Sequence, residues 1–370
     1  MKYLLAPNAM KGALSSRKIA AILSKTIRRK DPSAEIIAAP IADGGNGTLD
    51  CLMDSLGGTV FEHEVMGPIP TMKVTARYGI TRQNIAIIES AEVIGLHLLT
   101  PTPETIAVST SRGVGELLAA IVKHSCSEII LGLGGTATND GGAGMAAALG
   151  IELLNQHNEP LREGTIPLLQ LNRIVPHELK VLNTSITILS DVQNPLLGNH
   201  GATYTFARQK GASEEQLPYL ESALHHFAET VRSDLHKEYS EIPGSGAAGG
   251  LAYGLMTFCN ANLVSGIDHI LDVMNFDSKL AECDLIITTE GMLDGQTLFG
   301  KGIAGIVRRA QKFHKPVHAF VGRIDGNAEE LQQSLQLSSL TQISPEELST
   351  PEAMRDASWL LADAVFHHQF

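Results

Sequence analysis

The chain has 370 residues, 44% hydrophobic and 18% charged, with a formal net charge of −12. That length exceeds one typical core and sets two domains as the expectation. The acidic balance and an aromatic content of 5% argue against a nucleic-acid partner, and no apolar stretch approaches a membrane-spanning length.

The first 60 residues alternate strand and helix. YLLAP (3–7) is a short β-type run, and SSRKIAAILSKTIRRK (15–30) has helical spacing, with Ser15 or Ser16 as N-cap and Arg28-Arg29-Lys30 at the C-terminal end of the dipole. EIIAAPIA (35–42) is a second buried strand, and GTLDCLMDSLGG (47–58) a helix closed by glycine. Such alternation predicts βαβ units and a parallel sheet. The apolar run before Pro7 is too short for a signal-peptide core, so a cytoplasmic location is expected. Cys51, Cys126, Cys259 and Cys283 show no metal-site spacing and lie in apolar surroundings, as buried thiols of a reducing compartment do.

Near residue 60 the pattern changes to strands joined by turns, VFEHEVMGPIPTMKVTARYGI and NIAIIESAEV, which predicts an antiparallel or mixed sheet. A helix over 113–124 leads to the strand EIILGLG, SITILSDVQNPLLG (185–198) is another strand ending in polar residues, and 216–236 is a long amphipathic helix. From 284 the α/β rhythm returns with DLIITTE, GIAGIVRRAQKF, PVHAFVG and a helix near 351–366. The expected architecture is α/β with two domains. A Rossmann-like parallel-sheet domain is built from 1–62 and 284–370, a mixed α/β domain over 63–283 is inserted into it, and the active site lies in the cleft between them.

Four predicted strands end in glycine-rich, acid-bearing loops: PIADGGNGT, LGLGGTATNDGG, ILSDVQNPLLG and IITTEGMLDGQTLFGKG. In open α/β sheets ligands bind outside the carboxyl ends of strands, so these loops are the candidate site. Gly132-Leu-Gly134-Gly-Thr-Ala137 satisfies a dinucleotide fingerprint, but Asn139-Asp140-Gly141-Gly142 follows where its helix should already run. Gly295 to Lys301 matches GxxxxGK, but Gly302 stands where Ser or Thr would ligate Mg²⁺. Asp43, Asp191, Glu290 and Asp294 offer carboxylates for metal or base work, and Lys11 and Lys301 offer charge for phosphate. This is the equipment of phosphoryl transfer, although each Asp taken alone reads equally as a helix cap or turn residue. PGSGAAGGLAYG (243–254) reads either as a phosphate loop or as close helix packing, and the His225-His226 and His367-His368 pairs read as surface residues.

With these loops the chain resembles the bacterial glycerate kinase type-1 family, nearly end to end. The matching segments are APNAMKG (6–12), PIADGGNGT (40–48), GLGGTATNDGGAGM (132–145), SDVQNPLLG (190–198), QKGA (209–212), PGSGAAGG (243–250) and EGMLDGQTLFGK (290–301). The resemblance implies ATP-dependent phosphorylation of glycerate with Mg²⁺, and leans towards a 2-phosphate product. Asp191 is then the candidate base. Lys11 and Lys301 neutralise phosphate, and Asp43 and Asp294 hold Mg²⁺ or orient substrate. Gly134, Gly135, Thr136, Asn139 and Asp140 take the nucleotide, while Asp43, Asn46, Asn194, Met292 and Gln296 surround the acceptor. The chain departs from the family's DSFKG at Asn8, from ADGGEG at Asn46, and from GEGRID at Met292; Ile94 replaces a usual Ser. A guanidinium is the natural bidentate clamp for a carboxylate, and methionine cannot supply one. The open alternatives are a kinase for another hydroxy acid or polyol, and a non-catalytic binding protein on the same scaffold.

Overall fold

The computed structural model describes residues 1–42, 44–45, 47–177, 183–293 and 302–370. It contains two compact units, the first comprising Met1–Asp43, Asp50–Ser55 and Gly266–Phe370, the second Gly44–Leu49 and Leu56–Ser265. Strands are numbered along the chain: β1 (Lys2–Pro7), β2 (Glu35–Ala38), β3 (Gly58–Met66), β4 (Lys73–Thr81), β5 (Ile85–Glu89), β6 (Glu128–Gly132), β7 (Glu152–Leu154), β8 (Arg173–Val175), β9 (Ser185–Leu189), β10 (Asn262–Val264), β11 (Leu285–Leu293), β12 (Val317–Ile324) and β13 (Ser339–Gln342).

The first unit is an all-parallel sheet in the order β13-β12-β11-β1-β2. Its central strands are continuous apolar runs, with Leu4, Leu5, Ile286 and Ile287 fully buried, as a sheet covered on both faces requires. Helix Ser16–Lys30 is capped by Ser15, whose Oγ accepts from Lys18 N at 3.3 Å, and ends on Arg28, Arg29 and Lys30. Its inward residues Ile19, Leu23 and Ile27 share a core with Leu360, Leu361 and Val365 of helix Thr350–His367. β1 has β2 on one side and β11 on the other, so successive connections leave it in opposite directions. That reversal opens a crevice at the carboxyl ends of β1 and β11.

The second unit is a mixed sheet in the order β10-β9-β6-β5-β4-β3: β3, β4 and β5 form an antiparallel meander, and β5, β6, β9 and β10 are parallel. β7 and β8 form a separate antiparallel pair. The fold class is thus α/β with one parallel and one mixed sheet, as the strand and helix rhythm predicts.

The glycines of 243–254 are packing residues. A Cβ on Gly249, where φ is +67°, would stand 1.9 Å from the Thr138 carbonyl oxygen, and one on Gly254 would meet Gly142 Cα at 2.8 Å. They open helix Ala247–Cys259, which is buried almost throughout. Strands β10 and β13 and helices Gly266–Val273, Phe276–Glu282 and Ala328–Ser334 lie in stretches where no sequence periodicity separates them. All four cysteines are buried and free. His226 Nε2 donates to the Leu171 carbonyl (2.6 Å), and His368 lies 3.3 Å from His318, so one histidine of each pair is half-buried rather than at the surface. No described helix is long and apolar enough to cross a membrane.

Candidate active site

In the second unit, ten residues separate β6 from helix Ala143–Ala148, too long a loop for the tight turn of a dinucleotide fingerprint. The loop is tied down on both flanks. Leu133 N donates to Leu189 O (3.1 Å), Ala137 N to Ile94 O (2.8 Å) and Gly141 N to Gly249 O (3.0 Å), while the Gly135 carbonyl accepts from Leu96 N (2.8 Å). Between these ties, Gly134 and Gly135 are its accessible residues, and neither spends its N–H within the described residues. Two backbone donors without side chains in front of them suit an anion. Thr138 Oγ1 and Asn139 Oδ1 are buried without a hydrogen-bond partner among the described residues; Asn139 Nδ2 donates to Thr203 Oγ1 at 3.3 Å.

Asp140 and Lys210 hold this loop from beneath. The Asp140 carboxylate accepts from Ser111 N (2.7 Å), Ser111 Oγ (2.9 Å), Gly144 N (3.1 Å) and Gly142 N (3.2 Å). Burial pushes its carboxyl up, and those four donors oppose the shift. Its oxygens therefore tie the end of the loop and the start of helix Ala143–Ala148 to Ser111. Lys210, from the QKGA segment, is 3% exposed; its Nζ donates to Thr138 O at 2.7 Å and lies 3.5 Å from Thr136 Oγ1. Burial drives that ammonium down to about 7, against the pull of Asp140. Sequence reasoning did not single out Lys210, because a lysine after a short helix carries no signal of burial.

Three further strand ends complete this unit's polar edge. Asp191 follows β9 and is half-buried, its Oδ1 accepting from Ser265 Oγ at 2.9 Å, which follows the neighbouring β10. Asn194 is spent on its own loop: Nδ2 donates to His200 O (2.7 Å) and Thr205 Oγ1 (3.2 Å), and its carbonyl accepts from Gly244 and Gly246. Glu89, at the end of β5, accepts from Leu49 N at 2.6 Å and so anchors the start of helix Thr48–Leu56; it too went unnoticed in the sequence.

In the first unit, Asn8 and Glu290 meet at the β1/β11 crevice, Asn8 Nδ2 donating to Glu290 Oε2 at 3.0 Å. A Cβ on Gly302 would stand 2.9 Å from Asn8 Nδ2, so a larger residue there would press on the pair. Beside it lies a cavity of about 430 Å³ at the carboxyl ends of β1, β11, β12 and β13, lined by Lys11, Met292, Arg323, Ile343 and Met354 among others. Met292 is 55% exposed there. Lys11 makes no ion pair among the described residues.

Asp43, Asn46, Asp294, Gln296 and Lys301 lie outside the described residues. Among the described residues, no three His, Cys, Asp or Glu side chains group as metal ligands.

Each unit thus ends its parallel strands in glycine- and acid-bearing loops, the arrangement in which open α/β sheets bind ligands. The chain belongs to the glycerate kinase family, whose model matches residues 3–367. It is 36% identical over 364 residues to a glycerate kinase of Halalkalibacterium halodurans, covering 98% of this chain and 95% of that protein. It is 38% identical over 327 residues to a glycerate 2-kinase of Escherichia coli, covering 88% and 86%. A crystal structure from Salmonella typhimurium, provisionally described as glycerate kinase 2, superposes with a TM-score of 0.85 at 33% identity, covering 99% of this chain and 96% of that one. Its family makes it a phosphotransferase with an alcohol group as acceptor.

Proposed function

We propose that the protein transfers the γ-phosphoryl group of ATP to the 2-hydroxyl of glycerate, with Mg²⁺. The observation that carries this reading is the β6 loop. Gly134 and Gly135 keep their N–H groups uncommitted above the buried Lys210, in a chain whose relatives include a glycerate 2-kinase. Asp191, half-buried and oriented by Ser265, accepts the proton of the attacking hydroxyl. Lys11 and Lys301 balance phosphate charge, and Asp140 acts at one remove, by fixing the backbone of the phosphate loop.

The residues present fit a nucleotide and its metal. The buried, unpartnered Thr138 Oγ1 and Asn139 Oδ1 leave polar capacity in the loop. Mg²⁺ needs only one or two carboxylates beside water and substrate phosphates, so Asp43 and Asp294 are sufficient as holders. Held there, Mg²⁺ would supply positive charge to offset that of the phosphates. A cytoplasmic location belongs to the same proposal, supported by four buried free thiols. A second reading, a different hydroxy acid as acceptor, draws on the neutral Asn8 and the exposed Met292.

The test is incubation with Mg²⁺-ATP and D-glycerate, the product being identified by ³¹P NMR, beside a panel of hydroxy acids and polyols. Asp191→Asn is expected to lower kcat at least about 100-fold. Turnover of another acid alone selects the second reading. Nucleotide binding with no turnover of any acceptor defeats both and leaves a binding protein.

A further inference from the structure

We propose that Arg323 holds the carboxylate of the acceptor, in place of the arginine that the family carries at position 292. This rests on the reading that the acceptor is a hydroxy acid. β11 and β12 run parallel with Met292 beside Arg323 and Leu293 beside Ile324. The preceding residues are both glycine, and they touch: a Cβ on Gly322 would stand 2.3 Å from the Gly291 carbonyl oxygen. The sequence Gly322-Arg323-Ile324 thus repeats on β12 the G-R-I that the family places on β11, with Arg323 and Ile324 paired to Met292 and Leu293.

In-register neighbours in a sheet face the same side and lie about 5 Å apart. A guanidinium on a long side chain at 323 therefore serves the same space as one at 292. Arg323 and Met292 line the same cavity, with Lys11. Arg323 is half-buried; it donates from Nη2 to the Leu348 carbonyl and has no carboxylate partner among the described residues. A guanidinium has five N–H donors in a fixed fork, and one carbonyl fixes its plane without using the rest. A partly exposed guanidinium with no described carboxylate within ion-pair distance can take an anionic ligand, although Glu290 lines the same cavity, and the planar fork matches a carboxylate bidentately. Met292, left without charge, becomes an apolar wall of the same cavity.

Steady-state kinetics on Arg323→Met, Arg323→Lys and Arg323→Met with Met292→Arg test this. Arg323→Met should raise the KM for the hydroxy acid at least about tenfold, with kcat changed less than about threefold and the KM for ATP unmoved. Arg323→Lys keeps the charge without the fork and should fall between. Adding Met292→Arg to Arg323→Met should recover most of the lost affinity, a rescue that a merely structural Arg323 does not permit. Thermal melting identifies a misfolded variant, for which Arg323→Lys supplies the comparison. An unchanged acid KM in folded Arg323→Met, or a loss that falls on ATP instead, overturns the proposal. If the parent acts on another hydroxy acid and not on glycerate, the glycerate reading fails while this one stands, provided that acid's KM follows Arg323. A parent active only on uncharged polyols overturns it. For a parent with no turnover, calorimetric titration of D-glycerate gives the same comparison: equal affinity in parent and Arg323→Met, or no binding by either, overturns it.

Discussion

Asn8 donates a 3.0 Å hydrogen bond to Glu290 across the two central strands of the first unit, at the position where the family carries an aspartate. An amide beside a carboxylate is a neutral hydrogen bond donor; a second carboxylate there is a repulsive pair unless a proton or cation joins them. Asn8→Asp should therefore lower stability by about 1–3 kcal/mol in EDTA, and MgCl₂ should restore part of the loss. Melting temperatures of parent and variant with and without Mg²⁺ decide it: equal responses to the metal remove Glu290 from any cation-binding role.

The contact between residues 248–250 and the β6 loop gives a sharper steric expectation. Gly249→Ala would drive a methyl group to 1.9 Å from the Thr138 carbonyl oxygen, in a left-handed conformation alanine resists. A loss of about 3 kcal/mol or more is expected in urea unfolding, as for other overpacked, strained sites. Because the displaced atoms belong to the loop proposed to take the phosphates, ATP affinity should fall with it. Full stability in this variant contradicts the packing described.

Lys210 links the same loop to pH. Its folded value, about 7, lies below the ordinary 10.5, because burial disfavours the charged form. Between those values the unfolded chain keeps a proton that the folded chain has released, so this group's contribution to stability rises with pH from about 7 to 10.5 and is flat outside that window. Above about pH 10.5, where the amine is neutral in both states, Lys210→Met should cost about 1–3 kcal/mol through the lost bond to Thr138. The gap between parent and variant should then widen towards pH 10; denaturant titrations showing a constant gap refute the neutral lysine.

At the opposite side of the pH scale, His318 is pushed down to about 4 by burial and by the charge of His368. Above pH 6.5 both states are neutral and its contribution is complete. As pH falls from 6.5 to about 4 the unfolded ring binds its proton first, and stability is lost over that window. His318→Phe should flatten the decline of melting temperature across it. Parallel curves for parent and variant would assign the acid sensitivity elsewhere.

Much of this was legible in the residues. β6, β9 and β11 announce themselves as apolar runs ending in glycine and acid, and the helix over 217–235 by its amphipathic spacing. The four acid-bearing loops could be found because strand ends and glycines leave a local signature. What a residue touches across the fold leaves none. Asp140 looks like a ligand in sequence but is consumed by Ser111, Gly142 and Gly144, while Lys210 looks like a surface lysine and is buried. Glu89 and Ser265 act through partners 40 and 74 positions away. The meaning of Arg323 depends on a strand register that no local pattern encodes.

The placement of β1 beside β11 also governs how the chain matures. Asn8 and Glu290 are 282 residues apart, and β1's principal neighbour is made only after the entire second unit. On a ribosome, the amino-terminal 43 residues emerge as an apolar strand with only β2 to pair with, while 56–265 form a continuous stretch able to complete its own core. The second unit is thus expected to fold before the first, whose long-range parallel pairing carries the higher loop-closure entropy. Nascent chains arrested before residue 285 should hold a folded mixed sheet and an exposed, chaperone-binding amino terminus.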